Sequence, residues 1–148
     1  MELDNFMQAA IAEAQKGLDS GGIPIGSVLV KDNQIVGRGH NQRVQLKNPI
    51  LHAEIDCLQN AGRIGRYADT TLYSTLMPCY MCSGTAVQFG IKKVIVGEAE
   101  NFAGAPEFMR SHGIEVINLD LAQCKNMMAR FIEQHPELWY EDIGELDG

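Results

Sequence analysis

The order in which apolar residues change their spacing along the chain narrows the possible folds more than any single motif. Leu3, Phe6, Met7, Ala10, Ile11, Ala14 and Leu18 recur at three and four residues, the stripe of an amphipathic helix, and Gly21-Gly22 closes it. Residues 25–30 and 34–40 then read as two strands around a Lys31-Asp32-Asn33 turn, a hairpin. Beyond Pro49 the pattern alternates. It predicts a helix over 52–60 ended near Gly62, a strand over 70–75, a helix over 79–89 and a short buried strand over 93–96. A strand over 114–118 and a helix over 121–132 follow, with Leu121, Cys124, Met128, Phe131 and Ile132 on its apolar side. Pro136 opens a last short helix through Trp139 and Tyr140, since proline is tolerated in a first turn. A hairpin followed by strands interleaved with helices implies an open sheet covered by helices on both faces. In such sheets ligands bind where strand ends meet helix starts.

At 148 residues, with 45% hydrophobic and 21% charged residues and no repeats or linkers, the chain is expected to form one domain over 1–148. Twelve Lys and Arg against nineteen Asp and Glu leave a net charge of −7 with no basic cluster, which speaks against a nucleic-acid partner. The start, Met1-Glu2-Leu3-Asp4, is acidic where a secretory signal is basic. No apolar run approaches the ~18 residues that cross a bilayer, so the expectation is a cytoplasmic protein with no membrane partner. Four cysteines are too few for a disulfide-stapled scaffold, yet Cys79 and Cys82 lie close together. In a reducing compartment that spacing points to metal or redox chemistry.

Two segments carry chemistry, His52-Ala53-Glu54 and Pro78-Cys79-Tyr80-Met81-Cys82, and both fall at predicted helix N-termini. The free N–H groups and dipole of a helix start favour thiolates. Two thiolates and a neutral imidazole balance the charge of Zn²⁺ and leave a fourth tetrahedral position open, the mark of a catalytic site. Thiolate ligands weaken the acidifying power of the ion, so a nearby base must help, and Glu54 is the candidate. Residues two apart do not share a helix face. His52 and Glu54 therefore serve one ion only if His52 lies at the helix start with its ring turned inward.

A lone Cys-x-x-Cys after a strand also fits a dithiol oxidoreductase. The His-x-Glu 27 residues upstream of Cys79, and the proline just before it, favour the zinc deaminase signature. A structural zinc site lacks a fourth ligand at suitable spacing. Cys57 and Cys124 sit beside apolar residues and read as inert core thiols, and the Met127-Met128 pair as core packing. His112 and His135 read as solvated and His40 as structural. The acids Glu141, Asp142, Glu145 and Asp147 read, by composition alone, as a solvated face.

With these residues assembled, the chain resembles the fungal type of cytosine deaminase, within the cytidine deaminase-like superfamily, over roughly residues 21–145. The resemblance includes Gly22-Ile23-Pro24-Ile25-Gly26, Gly37-Arg38-Gly39-His40-Asn41, Leu51-His52-Ala53-Glu54 and the segment from Pro78 to Cys82. It continues through Val96-Gly97-Glu98, Asn101-Phe102 and the ending from Trp139 to Glu145. It implies an α/β fold, a three-layer α/β/α sandwich around a five-stranded mixed sheet, working as a homodimer with one Zn²⁺ per chain. It also implies His52, Cys79 and Cys82 as zinc ligands and Glu54 as proton shuttle. Asn41 would recognise the pyrimidine edge, Asp142 would accept from the exocyclic amine, and Phe102, Trp139 and Ile25 would line the pocket.

The implied reaction is hydrolysis of the free nucleobase cytosine to uracil and ammonia, with the C-terminal helix closed over the base and excluding a sugar. Guanine, isoguanine or creatinine are the alternative small substrates. Met77 stands where the fungal motif has a small hydroxyl residue and Tyr80 where it has an acid, and Ala103-Gly104-Ala105-Pro106 is smaller and less polar than that family's loop.

Overall fold

A computed structural model describes residues 4–146; Leu3 of the expected first helical stripe and Asp147 of the acidic ending lie outside them. In chain order the elements are α1 (Asn5–Asp19), β1 (Gly26–Lys31), β2 (Gln34–His40), α2 (Ala53–Ala61), β3 (Thr70–Ser74), α3 (Tyr80–Gln88), β4 (Lys93–Val96), α4 (Pro106–Ser111), β5 (Glu115–Asn118), α5 (Ala122–Gln134) and α6 (Pro136–Asp142). The five strands form one sheet in the order β2-β1-β3-β4-β5. β1 pairs antiparallel with β2 and β3, whereas β3–β4 and β4–β5 are parallel, so the sheet is mixed as expected.

Local chemistry accounts for the boundaries. Asp4 caps α1 by accepting the Phe6 N–H at 2.7 Å. Asp32 and Asn33 both take positive φ, 53° and 62°, the backbone of the two-residue turn that suits strand twist. Element ends differ from the expected ones by one or two residues, and one helix is new. The β1 ladder begins at Gly26, opposite His40, so Ile25 precedes the strand and contributes its carbonyl to the Asn41 N–H. α4, a six-residue helix opened by Pro106, was not anticipated, because so short a segment displays no helical period.

Period-two alternation in the central strands divides the core into two layers. Val28, Val30, Tyr73 and Ile95 face Met7, Ala10 and Ile11 of α1 and Cys124 of α5. Leu29, Leu72, Val94 and Val96 face Cys57 of α2, Ala86 of α3 and Met109 of α4. A third cluster, with Ile23, Ile25, Leu76, Phe131 and Trp139, joins α5 and α6 to one edge of the sandwich. That edge is where the chemistry gathers. β2 and β3 each run antiparallel to β1, hence parallel to each other, and their carboxyl ends lie on the same side. α2 follows β2 and α3 follows β3, so the two helix starts meet there.

Candidate metal centre

His52 is the last extended residue before α2 (φ −66°, ψ 164°), and Cys79 holds the same place before α3 (φ −74°, ψ −178°). Neither side chain caps its helix, which leaves the donor atoms free to converge. Cys82 lies one turn into α3 and is buried. His52 Nδ1 is 3.5 Å from Cys79 Sγ and 3.7 Å from Cys82 Sγ. All three donors lie within 4.8 Å of one another. A tetrahedral zinc with Zn–S about 2.3 Å and Zn–N about 2.0 Å sets sulfur and nitrogen roughly 3.6 Å apart, so the donor set fits that ion as it stands. Because His52 precedes the helix, the face constraint that separates i from i+2 does not apply to His52 and Glu54.

The charges around these donors are tightly linked. With the protein groups alone, Cys79 is drawn down to about 4, chiefly by its hydrogen bond with Cys82, with burial opposing and His52 adding to the pull. The same bond, with burial, holds Cys82 well above the ordinary thiol range. Burial works against a charged His52, yet its bond with Cys79 and the carboxylates of Asp142 and Glu54 together raise it to about 9. Burial raises Glu54 to about 7, restrained by His52. A thiolate beside a protonated imidazole is a site prepared to exchange protons for a cation.

Around the donors, Glu54, Asp142, Phe102, Trp139 and Ile25 line one pocket, while Asn41 lies buried behind Asp142 and is not among the lining residues. Glu54, buried on the first turn of α2, lines an inner cavity together with Ile25, His52, Leu76, Met77, Cys79, Phe102, Trp139, Asp142 and Ile143. Asn41 is fully buried; its Nδ2 donates to Asp142 Oδ2 at 2.8 Å and its Oδ1 accepts the Arg43 N–H at 3.1 Å. Asp142 Oδ1 lies 3.3 Å from His52 Nε2, the placement by which a carboxylate orients a ligating imidazole. Burial raises the pKa of Asp142, against the pull of His52 and of the Asn41 hydrogen bond. The Phe102 and Trp139 rings meet edge to face, 5.9 Å apart at 88°.

The inner cavity measures about 20 Å³, room for about one water molecule. It adjoins a vestibule of about 930 Å³ whose walls share His52, Cys79, Phe102, Trp139, Asp142 and Ile143 and add Tyr80, Ala103, Gly104 and Tyr140. Arg43, which sequence reasoning missed, straps the Asn41 loop to the C-terminal helix. Its Nε donates to Pro49 O at 2.7 Å and its NH1 to Glu141 Oε1 at 3.2 Å, with Asp142 Oδ2 at 3.9 Å. Its position two residues after Asn41 was the only signal.

Away from the pocket, the structure gives the other single residues plain surroundings. Cys57 and Cys124 are buried in the two core layers, where burial pushes both thiols up to about 12. His40 pairs with Glu13 at 3.2 Å beneath α1, while His112 and His135 are exposed. Met128 is buried in the third cluster, and Met127, half-buried, packs against the core layer that faces α1.

Comparison with known proteins agrees with this geometry. Residues 1–98 match the family model for the cytidine and deoxycytidylate deaminase zinc-binding region. A cytosine deaminase of Candida albicans (strain SC5314 / ATCC MYA-2876) is 45% identical over 142 residues, 94% of this chain and 95% of its own length. A tRNA-specific adenosine deaminase of Streptococcus pyogenes serotype M18 (strain MGAS8232) is 40% identical over 144 residues, 89% of this chain and 91% of its own. Among solved structures, one from a study of A-to-I editing by tRNA:A34 deaminases superposes with a TM-score of 0.72 at 27% identity, covering 84% of this chain and 96% of that one. The guanine deaminase of Nitrosomonas europaea, at 16% identity and a TM-score of 0.74 over 85% of this chain and 82% of its own, shares the fold.

Proposed function

The chain belongs to the cytidine and deoxycytidylate deaminase zinc-binding family, and we propose that within it the protein hydrolyses free cytosine to uracil and ammonia, in the cytoplasm and as a homodimer. The observation that carries this reading is the convergence of His52, Cys79 and Cys82 beside an inner pocket that His52, Cys79 and Glu54 line, in a chain 45% identical to a cytosine deaminase over nearly its full length.

His52 Nδ1 and the Cys79 and Cys82 sulfurs would hold a zinc ion. Zinc bound there supplies Lewis acidity and lowers the pKa of a water molecule. Glu54 would take one proton from the attacking water as the water oxygen bonds to the amine-bearing ring carbon, pass it to the ring nitrogen, and then carry the second proton, from the added hydroxyl, to the amine as the C–N bond breaks. Asn41 reads the base. Its amide oxygen and its NH₂ each retain a second hydrogen-bonding site beyond those used by Arg43 and Asp142, enough for a ring N–H and the 2-oxo group. Asp142 accepts from the exocyclic amine and, through His52 Nε2, holds the imidazole in place. Phe102, Trp139 and Ile25 sandwich the ring and exclude bulk water.

Because the inner cavity has room for about one water, a ring enters only if the wall formed by Phe102 and α6 yields, and product must leave by the same route. The net charge of −7, with α6 laid over the pocket, supports a small uncharged base in preference to the polyanion handled by the tRNA-specific relatives. The groove between α2 and α3, lined by Ile55, Leu58, Tyr67 and Phe89 and outward-facing, supports the homodimer; sedimentation at micromolar concentration measures it. Among the described residues no helix is long and apolar enough to cross a membrane.

The test is to offer zinc-loaded protein cytosine, 5-methylcytosine, cytidine, guanine, isoguanine, adenine, creatinine and a tRNA anticodon stem, following ammonia. Cytosine turned over and cytidine untouched is the expected result. A purine, creatinine or the tRNA turned over while cytosine is inert replaces the substrate.

A further inference from the structure

We infer that Glu98 is a positioning residue for the base pocket, setting the place of Phe102 through the loop that joins them. Glu98 follows β4 and is fully buried, with no Lys, Arg or His ion pair among the described residues. A carboxylate so placed is costly unless N–H donors surround it. Among the described residues its donors come from Glu100 and Asn101 alone. Oε2 accepts the Glu100 N–H at 2.8 Å and the Asn101 N–H at 3.0 Å, and Oε1 accepts Asn101 Nδ2 at 2.9 Å. Asn101 Nδ2 also donates to Lys125 O of α5 at 3.0 Å, so the loop is anchored on both sides.

The next residue is Phe102, which lines both the inner cavity and the vestibule and stands edge-on to Trp139. The backbone of Glu98 faces the other wall. Its carbonyl accepts the Met77 N–H at 2.9 Å, at the root of the turn that leads to Cys79. The carboxylate therefore acts on Phe102 and the backbone on the ligand turn, and a side-chain change separates the two. Glu98→Gln keeps the backbone bond and an oxygen for the two loop N–H groups but sets an NH₂ against Asn101 Nδ2. The loop then shifts while the metal ligands stay.

The inference rests on the deaminase reading, and the two fail apart: inactivity of the wild type toward cytosine contradicts that reading, whereas an active wild type whose E98Q variant keeps the wild-type KM contradicts only this one. The experiment is a double-mutant cycle of E98Q and F102A in the zinc-loaded protein, with zinc content and the fluorescence of Trp139, the single tryptophan, read alongside kcat and KM. E98Q is expected to raise KM roughly tenfold, the scale of a lost hydrogen bond to a charged group, with kcat changed far less and zinc retained. Quenching of Trp139 by cytosine should shift to higher concentration by the same factor. On the F102A background E98Q should add almost nothing, because both changes act through one wall. Equal factors on both backgrounds, or a loss of zinc or of kcat at constant KM, would overturn the assignment. If E98Q does not fold, N101S removes one donor and leaves the backbone pair; a smaller rise in KM supports the proposal and an unchanged KM contradicts it.

Discussion

Among single side chains, the proposed reaction asks most of Glu54, since of the two carboxyls on the inner pocket Asp142 is already engaged by Asn41 and His52 whereas Glu54 is left to shuttle protons. Glu54→Gln is isosteric and removes that ability. Turnover should fall about 10²- to 10⁴-fold while zinc stays at one per chain, measured by ammonia release and metal analysis. Cys82→Ala should instead lose the ion, because it removes one of the three donors that converge there. The meeting of His52, Cys79 and Cys82 beside Glu54 was legible in the sequence because ligand chemistry restricts the residue types and helix starts restrict their spacing. The parts of Arg43 and Glu98 were not, since a polar residue in a loop has no period, and neither the reach of Arg43 to Glu141 nor the burial of Glu98 leaves a mark on the sequence. The acidic ending illustrates the same limit: composition reads Asp142 as solvated, whereas it is held against His52, Asn41 and Arg43 in the pocket wall.

Secondary structure elements were legible wherever burial imposes a period, as in α1, the hairpin and the parallel strands. α4 escaped because six residues are too few to show one, and the β1 boundary moved because Ile25 is buried without being in the ladder. The close approach of α1 to β1 was equally invisible. A side chain at Gly26 would strike the backbone of Ala10 and Ala14, and Glu13 Cβ at 2.9 Å. Gly26→Ala should cost about 1–3 kcal/mol, seen as a lower thermal midpoint, because helix backbone has no easy route of retreat. α6 is the element that closes the pocket. A chain ended before Trp139 should keep zinc but lose its preference for cytosine over cytidine, compared by kcat/KM; retention of both cytosine turnover and cytidine exclusion would contradict the gate.

For the protein as a unit, the two thiols buried in opposite core layers tie stability to alkaline pH. Cys57 and Cys124 are pushed up to about 12 by burial, so between pH 9 and 12 the folded chain binds protons that the unfolded chain has released. Stability from these groups is complete below about pH 9 and declines as pH rises through 12. Thermal midpoints measured from pH 8 to 11 should fall, and C124A should flatten the slope. The proposed activity depends on an ion held by His52, Cys79 and Cys82 and served by Glu54. Its most direct measurement is a zinc titration of metal-depleted protein with cytosine as substrate. Ammonia release should climb with added zinc and level off at one equivalent per chain. Turnover without metal, or none with one equivalent bound, would contradict it.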